Sequence, residues 1–239
     1  MNKLISYLFF LSILCTTNTN AYEYKIGVIE YPPHIVMEDS KPSGKAIDYI
    51  KFMIEKNGDQ VKFSAMPVKR ALKRLNDGDL DMLFPLENSV EKVTTLTKPL
   101  FNLVPGLCFR KSNFIPILSA THRFSSMKIG YADGIEVSSP VIKSGANLYP
   151  IRGKSVLGRG LKMLKANRLD AIYHPNPIFL YHKNNPHSKD IACSYFHGLS
   201  TNTYLGISDS LSSKKRERIE KQYSLTMKNK SYIEFFNTL

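Results

Sequence analysis

The first part of the chain alternates short apolar segments with segments whose apolar residues recur at helical spacing. Strands that alternate with helices in this way imply a mainly parallel sheet with helices on both faces. Ligands bind such sheets beyond the carboxyl ends of the strands, so the loops at Tyr31 and Leu86 are expected to share one rim. The predicted elements are strands over 24–29, 61–63 and 80–83 and helices over 46–54 and 68–75.

A second alternating unit follows, and the chain then ends in basic helices that begin near Leu211. In the first unit, Pro85 follows the third predicted strand. Because proline cannot donate a hydrogen bond to a neighbouring strand, Pro85 is expected to end that strand. The predicted elements of this second unit and of the segment after it are strands over 127–131, 170–173 and 204–207 and helices over 155–166 and 178–183.

The amino terminus has the pattern of a secretory signal peptide. A short basic start precedes an apolar run from Leu4 to Cys15, and the small residues at Thr19 and Ala21 fit a cleavage site after Ala21. Cys15 lacks the small residue directly before it that a lipoprotein site requires. We therefore expect residues 1–21 to be removed and the protein to work in the periplasm.

Charge and cysteine content limit the function classes. The chain carries 33 Lys and Arg against 20 Asp and Glu, a net charge of +13, and its densest basic run, 214–218, fits a solvated helix face. An exported protein with no aromatic-basic motif is a poor candidate for nucleic-acid binding, whereas attraction to anionic membrane surfaces or ligands is consistent with the charge. Cys108 and Cys193 can form one disulfide in an oxidising compartment, although two buried free thiols are the favoured interpretation.

Several short segments of the mature chain resemble, in the same order, motifs of the family 3 extracellular solute-binding proteins. The similarity runs through most of the mature chain, and each segment alone is a weak signal. The segments are Tyr31-Pro32-Pro33, Gly44 with Ile47-Asp48, Pro67-Val68-Lys69-Arg70-Ala71-Leu72, Leu75-Asn76-Asp77-Gly78-Asp79-Leu80-Asp81, Leu96-Thr97-Lys98-Pro99-Leu100 and Asn167-Arg168-Leu169-Asp170-Ala171.

The resemblance implies an α/β fold of the type II periplasmic binding-protein kind. Such a protein has two lobes, each a mostly parallel sheet flanked by helices, joined by two hinge crossovers. The expected division places residues 22–109 and 203–239 in lobe 1 and residues 113–197 in lobe 2. The resemblance also implies a monomer that closes around a ligand between its lobes.

Two departures from the family pattern concern the zwitterion of an amino acid. The family's arginine, which holds an α-carboxylate by two parallel hydrogen bonds, corresponds here to Lys92 or to Val90. The aspartate that holds the α-ammonium group corresponds to Pro175. Because both partners are missing, we expect a small polar ligand, an anionic one included, rather than a standard α-amino acid.

Candidate ligand-binding residues of lobe 1 lie at predicted strand ends and helix starts. Tyr31 and His34 follow the first strand, where ordinary turn packing is the alternative role. Arg70 lies near the start of a helix, and a surface salt bridge with Asp79 or Asp81 is its alternative. The segment after the third strand supplies a carboxylate, an amide and, at a helix start that favours anions, a lysine: Glu87, Asn88 and Lys92.

Candidate residues of lobe 2 occupy equivalent positions. Asp133, Gly134 and Ser155 lie in loops that lead into helices, where free backbone N–H groups favour an anionic group. His174 and Asn176 lie at the end of the strand that begins near Asp170, although a packed histidine is the commoner role at such a position.

The sequence favours a binding protein over an enzyme. It contains no nucleophile elbow and no metal-ligand spacing among its six histidines, and it implies no metal or cofactor. The expected partners are a small-molecule ligand and an inner-membrane permease of an ABC transporter, or a receptor in a signalling role without transport. The alternative is an enzyme on the same fold, similar to cyclohexadienyl dehydratases, with Glu87 as general acid or base and His174 as its partner.

Overall fold

The computed structural model describes residues 21–87, 93–117, 124–176 and 189–237 and contains two main β-sheets. We refer to the six-stranded sheet with its helices as lobe 1 and to the five-stranded sheet with its helices as lobe 2. The predicted signal peptide and the predicted helix over 178–183 lie outside the described residues. In the described part of the chain, every helix is too short or too polar to span a lipid bilayer.

Lobe 1 is built around three parallel strands, with a fourth strand antiparallel beside them. The sheet order is β4-β1-β5-β13-β6, β7 pairs with β13, and β2 and β3 form a separate hairpin. The elements are β1 Glu23–Val28, β2 Val36–Glu38, β3 Lys41–Ser43, α1 Lys45–Glu55, β4 Gln60–Ala65, α2 Val68–Asn76, β5 Met82–Glu87, β6 Thr94–Thr95, β7 Phe101–Leu103, β13 Thr201–Ile207, α5 Ser213–Asn229 and α6 Tyr232–Asn237.

The apolar pattern of α1 explains why it packs on this sheet. Its buried residues recur every three or four positions, which gives the helix one apolar stripe, and that stripe faces the core shared with β1 and α5. The buried residues are Ala46, Ile47, Tyr49, Ile50, Met53 and Ile54. Gly44, with φ of 109°, precedes the helix in a conformation that L-residues rarely adopt.

A buried carboxylate ties the two chain segments of lobe 1 together. The Asp59 side chain is 0% exposed, and its Oδ2 accepts hydrogen bonds from Arg218 Nε and Gln222 Nε2, each at 2.7 Å. Its Oδ1 accepts from the backbone N–H of Tyr22 at 2.9 Å. Asp59 therefore joins the start of β1 and the start of β4 to helix α5.

Lobe 2 also contains three parallel strands, extended by two antiparallel ones. The sheet order is β10-β9-β11-β8-β12, in which β9 pairs in parallel with β10 and β11. The elements are β8 Gly106–Arg110, a 3-10 turn at Lys111–Asn113, β9 Lys128–Ala132, α3 Ser139–Lys143, β10 Asn147–Ile151, α4 Val156–Lys165, β11 Ala171–His174 and β12 Ile191–Tyr195.

The boundary between the lobes lies before β8, and not after Phe109 as predicted. Residues 106–109 were expected to belong to lobe 1, but the strand that contains them, β8, pairs antiparallel with β11 and β12 in the second sheet. The chain therefore leaves the first sheet after β7, near Pro105. Nothing in the local pattern of an apolar strand specifies which of two sheets it joins.

Cys108 and Cys193 form a disulfide between neighbouring antiparallel strands. Cys108 on β8 and Cys193 on β12 are paired residues in the register, and their sulfur atoms are bonded. The interpretation as two free thiols is therefore wrong. Direct pairing in the register brings together two residues that are 85 positions apart in the chain.

Strand β5 continues through Pro85 to Glu87, so the prediction that Pro85 ends the strand is wrong. The register with β13 changes between Tyr204 and Gly206, where two residues of β5 face the single residue Leu205. Proline is tolerated at such a bulge because a ladder hydrogen bond is already missing there. The longer strand carries Glu87 to the end of the sheet.

Candidate functional site

Two adjoining cavities lie between the lobes, at the carboxyl ends of both sets of parallel strands. Ile29 and Tyr31 follow β1, Val68 begins α2, Ile135 follows β9 and Pro175 follows β11, and all five line both cavities. This is the edge at which open α/β sheets bind ligands. The expectation that the loop at Tyr31 and the residues near Leu86 share one rim is confirmed for the described residues.

The first cavity has a volume of about 250 Å³ and walls that are largely apolar. Its polar side chains include Lys154 and Ser155 at the start of α4 and His174 at the end of β11. The apolar residues that line it include Met37, Met66, Ile151, Val156 and Leu157.

The second cavity, of about 510 Å³, contains the acidic part of the site. Glu87 comes from the end of β5 in lobe 1, and Glu136 comes from the loop after β9 in lobe 2. Burial, and secondarily the negative charge of Glu136, raises the pKa of Glu87 to about 7. A carboxyl group with this pKa is half protonated at neutral pH.

Tyr31 occupies the centre of the site. It lines both cavities and is 6% exposed, and its buried hydroxyl has no hydrogen-bond partner among the described residues. Burial, with smaller contributions from the charges of Glu87 and Tyr173, raises its pKa well above the ordinary value. The Tyr31 hydroxyl therefore stays protonated and is available as a donor or an acceptor.

His174 meets Tyr31 across the lobes. The two ring centroids are 5.7 Å apart, and the Nδ1 atom of His174 accepts a hydrogen bond from the backbone N–H of Asn176 at 3.0 Å. Burial lowers the pKa of His174 to about 4. The ring is therefore neutral at physiological pH, and the accepting Nδ1 places the proton on Nε2.

A second contact between the lobes lies beside the cavities. Asp133 of lobe 2 forms ion pairs with Lys69 of α2 at 2.8 Å and with Arg152 at 3.0 Å. Hydrogen bonding to Lys69, and then to Arg152, lowers the pKa of Asp133. Gly134 packs against α2 so closely that a Cβ atom there would lie 3.0 Å from side-chain carbons of Val68 and Lys69.

The structure brings five of the predicted residues to the cavity walls and places others elsewhere. Tyr31, Glu87, Gly134, Ser155 and His174 line one or both cavities. Asp133 is instead occupied by its ion pairs and is absent from the described cavity lining. Asn88 and Lys92 lie outside the described residues.

Three further predicted residues do not line either cavity in the described part of the chain. His34 faces the lobe 1 core, where its Nδ1 lies 2.7 Å from the Tyr232 hydroxyl and its ring stacks on Phe101 with centroids 4.2 Å apart. Asn176 contributes its backbone N–H to His174. Arg70 is exposed, and its suggested salt-bridge partners Asp79 and Asp81 pair with other cations, Arg74 and Lys215 respectively.

Glu136 and Lys154 line the cavities but were not among the site residues predicted from the sequence. Both lie next to loops that it did select, Glu136 two positions after Gly134 and Lys154 directly before Ser155. The signal was available in the rule that ligands bind at strand ends, but a single sequence does not show which loop side chains turn inward. Within the described residues, no three His, Cys, Asp or Glu side chains are grouped to hold a metal ion.

Comparisons with known proteins identify the fold. No protein-family model and no curated protein sequence matches the chain. An ancestral arginine-binding protein bound to glutamine is 19% identical, with a TM-score of 0.74 and coverage of 90% of this chain and 96% of that one.

Two further solved structures give the same result. An amino acid ABC transporter substrate-binding protein from Streptococcus pneumoniae bound to L-arginine is 18% identical, with a TM-score of 0.71 and coverage of 90% and 93% of the two chains. The GluR0 ligand-binding core with L-glutamate is 14% identical, with a TM-score of 0.72 and coverage of 92% and 98%. The chain therefore has the two-lobed type II periplasmic binding-protein fold, the fold of the family 3 solute-binding proteins.

Proposed function

We propose that the protein is a solute-binding protein that closes its two lobes around a small polar ligand. The observation that carries the proposal is the pair of cavities whose walls come from both lobes, with the unpartnered Tyr31 hydroxyl between them. A ligand held there contacts both lobes only when they meet, so it stabilises the closed state by its difference in affinity for the two states.

The cavity walls support a ligand other than a standard α-amino acid. No arginine lines either cavity in the described residues, so the bidentate partner of an α-carboxylate is missing there. Pro175, which stands at the position of the family's ammonium-binding aspartate, lines both cavities. The expectation of an anionic ligand was based on the net positive charge, on Lys92 and on the helix starts of lobe 2. Lys92 lies outside the described residues, and the described walls include Glu30, Glu87 and Glu136.

The partners and the compartment follow from the same role. The predicted signal peptide supports export to the periplasm. Two of the similar structures are named as an arginine-binding protein and an amino acid ABC transporter substrate-binding protein. We propose a permease of an ABC transporter as the partner, or a membrane receptor if the closed state serves as a signal. A receptor that responds to the liganded form only would support the second role.

A substitution at Gly134 tests whether lobe closure is needed for binding. In Gly134→Ala the new methyl group meets Val68 and Lys69 only when the lobes are together, and we expect affinity to fall about tenfold. Gly145→Ala is the matched control, because Gly145 also has a positive φ but has no atom within 4 Å of the added Cβ. Calorimetry measures the ligand affinity of each variant, and small-angle scattering measures the fraction of molecules with closed lobes. Equal affinities in the two variants would contradict the proposal that binding needs lobe closure.

A thermal-shift screen followed by truncation of Tyr31 tests the ligand site. A ligand at one hundred times its dissociation constant adds about 2.7 kcal/mol of stability, so amino acids, carboxylates, polyamines, sugars and phosphorylated solutes can be compared directly. We expect Tyr31→Ala to lower the affinity for the solute found by at least about tenfold. Tyr149→Ala, at an exposed tyrosine outside both cavities, is the control. A screen in which no solute stabilises the protein contradicts the proposed function.

A dehydratase-like enzyme is the second candidate, and the pKa of Glu87 favours it. A carboxyl group with a pKa of about 7 suits a general acid or base at neutral pH. Its suggested partner His174 is neutral at pH 7, and the Nδ1 atom of that ring accepts a hydrogen bond from the backbone N–H of Asn176. Conversion of prephenate or arogenate by the purified protein, lost in Glu87→Gln, would establish this role.

A further inference from the structure

The charges in the described cavity walls are opposite to the net charge of the chain. The whole chain carries +13, yet among the described residues the two cavities are lined by Glu30, Glu87 and Glu136 and by a single Lys or Arg, Lys154. All three residues line a cavity between the lobes, Glu30 and Glu87 from partly buried positions and Glu136 from an exposed one. The cavity walls therefore favour a ligand of positive charge.

Glu87 and Glu136 are brought together by the meeting of the lobes. Each lines the second cavity from a different lobe, and burial, with a smaller contribution from the charge of Glu136, raises the pKa of Glu87. No described side chain forms an ion pair or hydrogen bond with the Glu87 carboxylate that would offset this repulsion. Glu87 is partly buried and Glu136 is exposed, so a cation held beside both residues would compensate chiefly the charge of Glu87.

The Tyr31 hydroxyl is an independent indication of a missing ligand at the same place. It is buried, it has no partner among the described residues, and the charge of Glu87 acts on it. A buried hydroxyl is normally hydrogen-bonded, because leaving it unpaired costs free energy. An ammonium group near Glu87 can donate a hydrogen bond to the Tyr31 oxygen.

We propose that the second cavity binds the ammonium or guanidinium head of an organic cation between Glu87 and Glu136, while the apolar body of the ligand occupies the first cavity. This rests on the proposed function, because it needs a solute held between the lobes. Met66, Ile151 and Leu157 supply the apolar surface for the body. Burying that surface adds hydrophobic stabilisation to the charge pairing.

The proposal predicts the direction in which protons move on binding. A cation favours the ionised form of Glu87, whose pKa is raised to about 7, so binding releases protons near pH 7 and affinity rises as pH increases through 7. The groups that face Glu87 are Glu136, Tyr31 and Tyr173, and His174 packs on Tyr31. Both tyrosines are protonated and His174 is neutral at pH 7, so none of these three side chains adds a charge beside Glu87.

The test compares probes that share a body and differ in charge. Phenethylamine, 2-phenylethanol and phenylacetate form one set, and butylamine, butanol and butyrate form a second, with agmatine and spermidine as larger cations. We expect the cation of each set to bind at least about tenfold more tightly than its neutral and anionic counterparts. Calorimetry at pH 7 in two buffers of different ionisation enthalpy measures the proton release.

Isosteric variants locate the effect. Glu87→Gln and Glu136→Gln should each weaken cation binding by about tenfold or more, and Glu87→Gln should also abolish the proton release. Glu220→Gln, at an exposed position of α5, is the matched control and should leave both unchanged. A cooperative thermal unfolding transition in each variant would show that the variant is folded.

The outcomes separate this inference from the proposed function. If a neutral or anionic probe binds more tightly than its cation, or binding takes up protons at pH 7, the lobes bind a solute but the cationic class is wrong. If cations bind equally well to Glu87→Gln and to the parent protein, the head group lies elsewhere. If no probe and no solute of the wider screen binds, the proposed function fails together with the inference.

Discussion

Replacing Cys108 and Cys193 with alanine is expected to lower the free energy of unfolding by about 4 kcal/mol, within the usual range of about 2–5 kcal/mol for a native disulfide. The bond closes a loop in which the two cysteines are 85 residues apart, and that loop contains most of lobe 2. Without the bond, the unfolded chain regains the conformational freedom of this long loop. Urea unfolding of the double variant and the parent protein measures the difference.

Reduction provides the control for the cysteine variant. Dithiothreitol should lower the stability of the parent protein toward that of Cys108→Ala/Cys193→Ala and leave the double variant unchanged. The two strands also pair by backbone hydrogen bonds, so β8 and β12 should stay together without the sulfur bridge. A double variant as stable as the oxidised parent protein contradicts the expected contribution of the disulfide.

Removing the Asp59 carboxylate should destabilise lobe 1 by about 3 kcal/mol. Breaking one side of a buried ion pair costs about 3–5 kcal/mol, and the lower end applies because the Arg218 side chain is 27% exposed and can be hydrated. Gln222 would lose its acceptor as well, and it is buried. The expected result of Asp59→Ala is a lower urea midpoint with an unchanged m-value.

A surface ion pair supplies the comparison for Asp59. Asp79 pairs with Arg74, and both side chains are largely exposed, at 59% and 41%. Asp79→Ala should therefore change the unfolding free energy by less than about 1 kcal/mol. Equal losses in the two variants would mean that burial of Asp59 does not determine its contribution.

The elements that the sequence predicted well are those whose pattern is local. The apolar stripe of α1 and the alternation of strands with helices depend on neighbours within a few residues, and both are present in the structure. The position of the cavities at the carboxyl ends of the strands followed from the parallel arrangement alone. Tyr31 was identified by the same reasoning, since it follows β1.

Other features were unpredictable because they depend on contacts far apart in the chain. His34 has the same loop position as Tyr31, but its ring turns into the core formed with Tyr232, 198 residues away. The cysteine pair is fixed by strand register, which the sequence of neither strand specifies. Pro85 stays within its strand because of a bulge whose other side is β13.

Strand β13 also limits the order in which the two lobes can be completed during synthesis and folding. Every strand of the second sheet comes from residues 106–195, a single uninterrupted stretch, so that sheet can form as soon as this stretch is available. The first sheet has β13 near its middle, and its helix α5 follows later still. A chain that emerges from its amino terminus must therefore leave the first sheet unfinished, with the edge of β5 exposed, until the later lobe has been made.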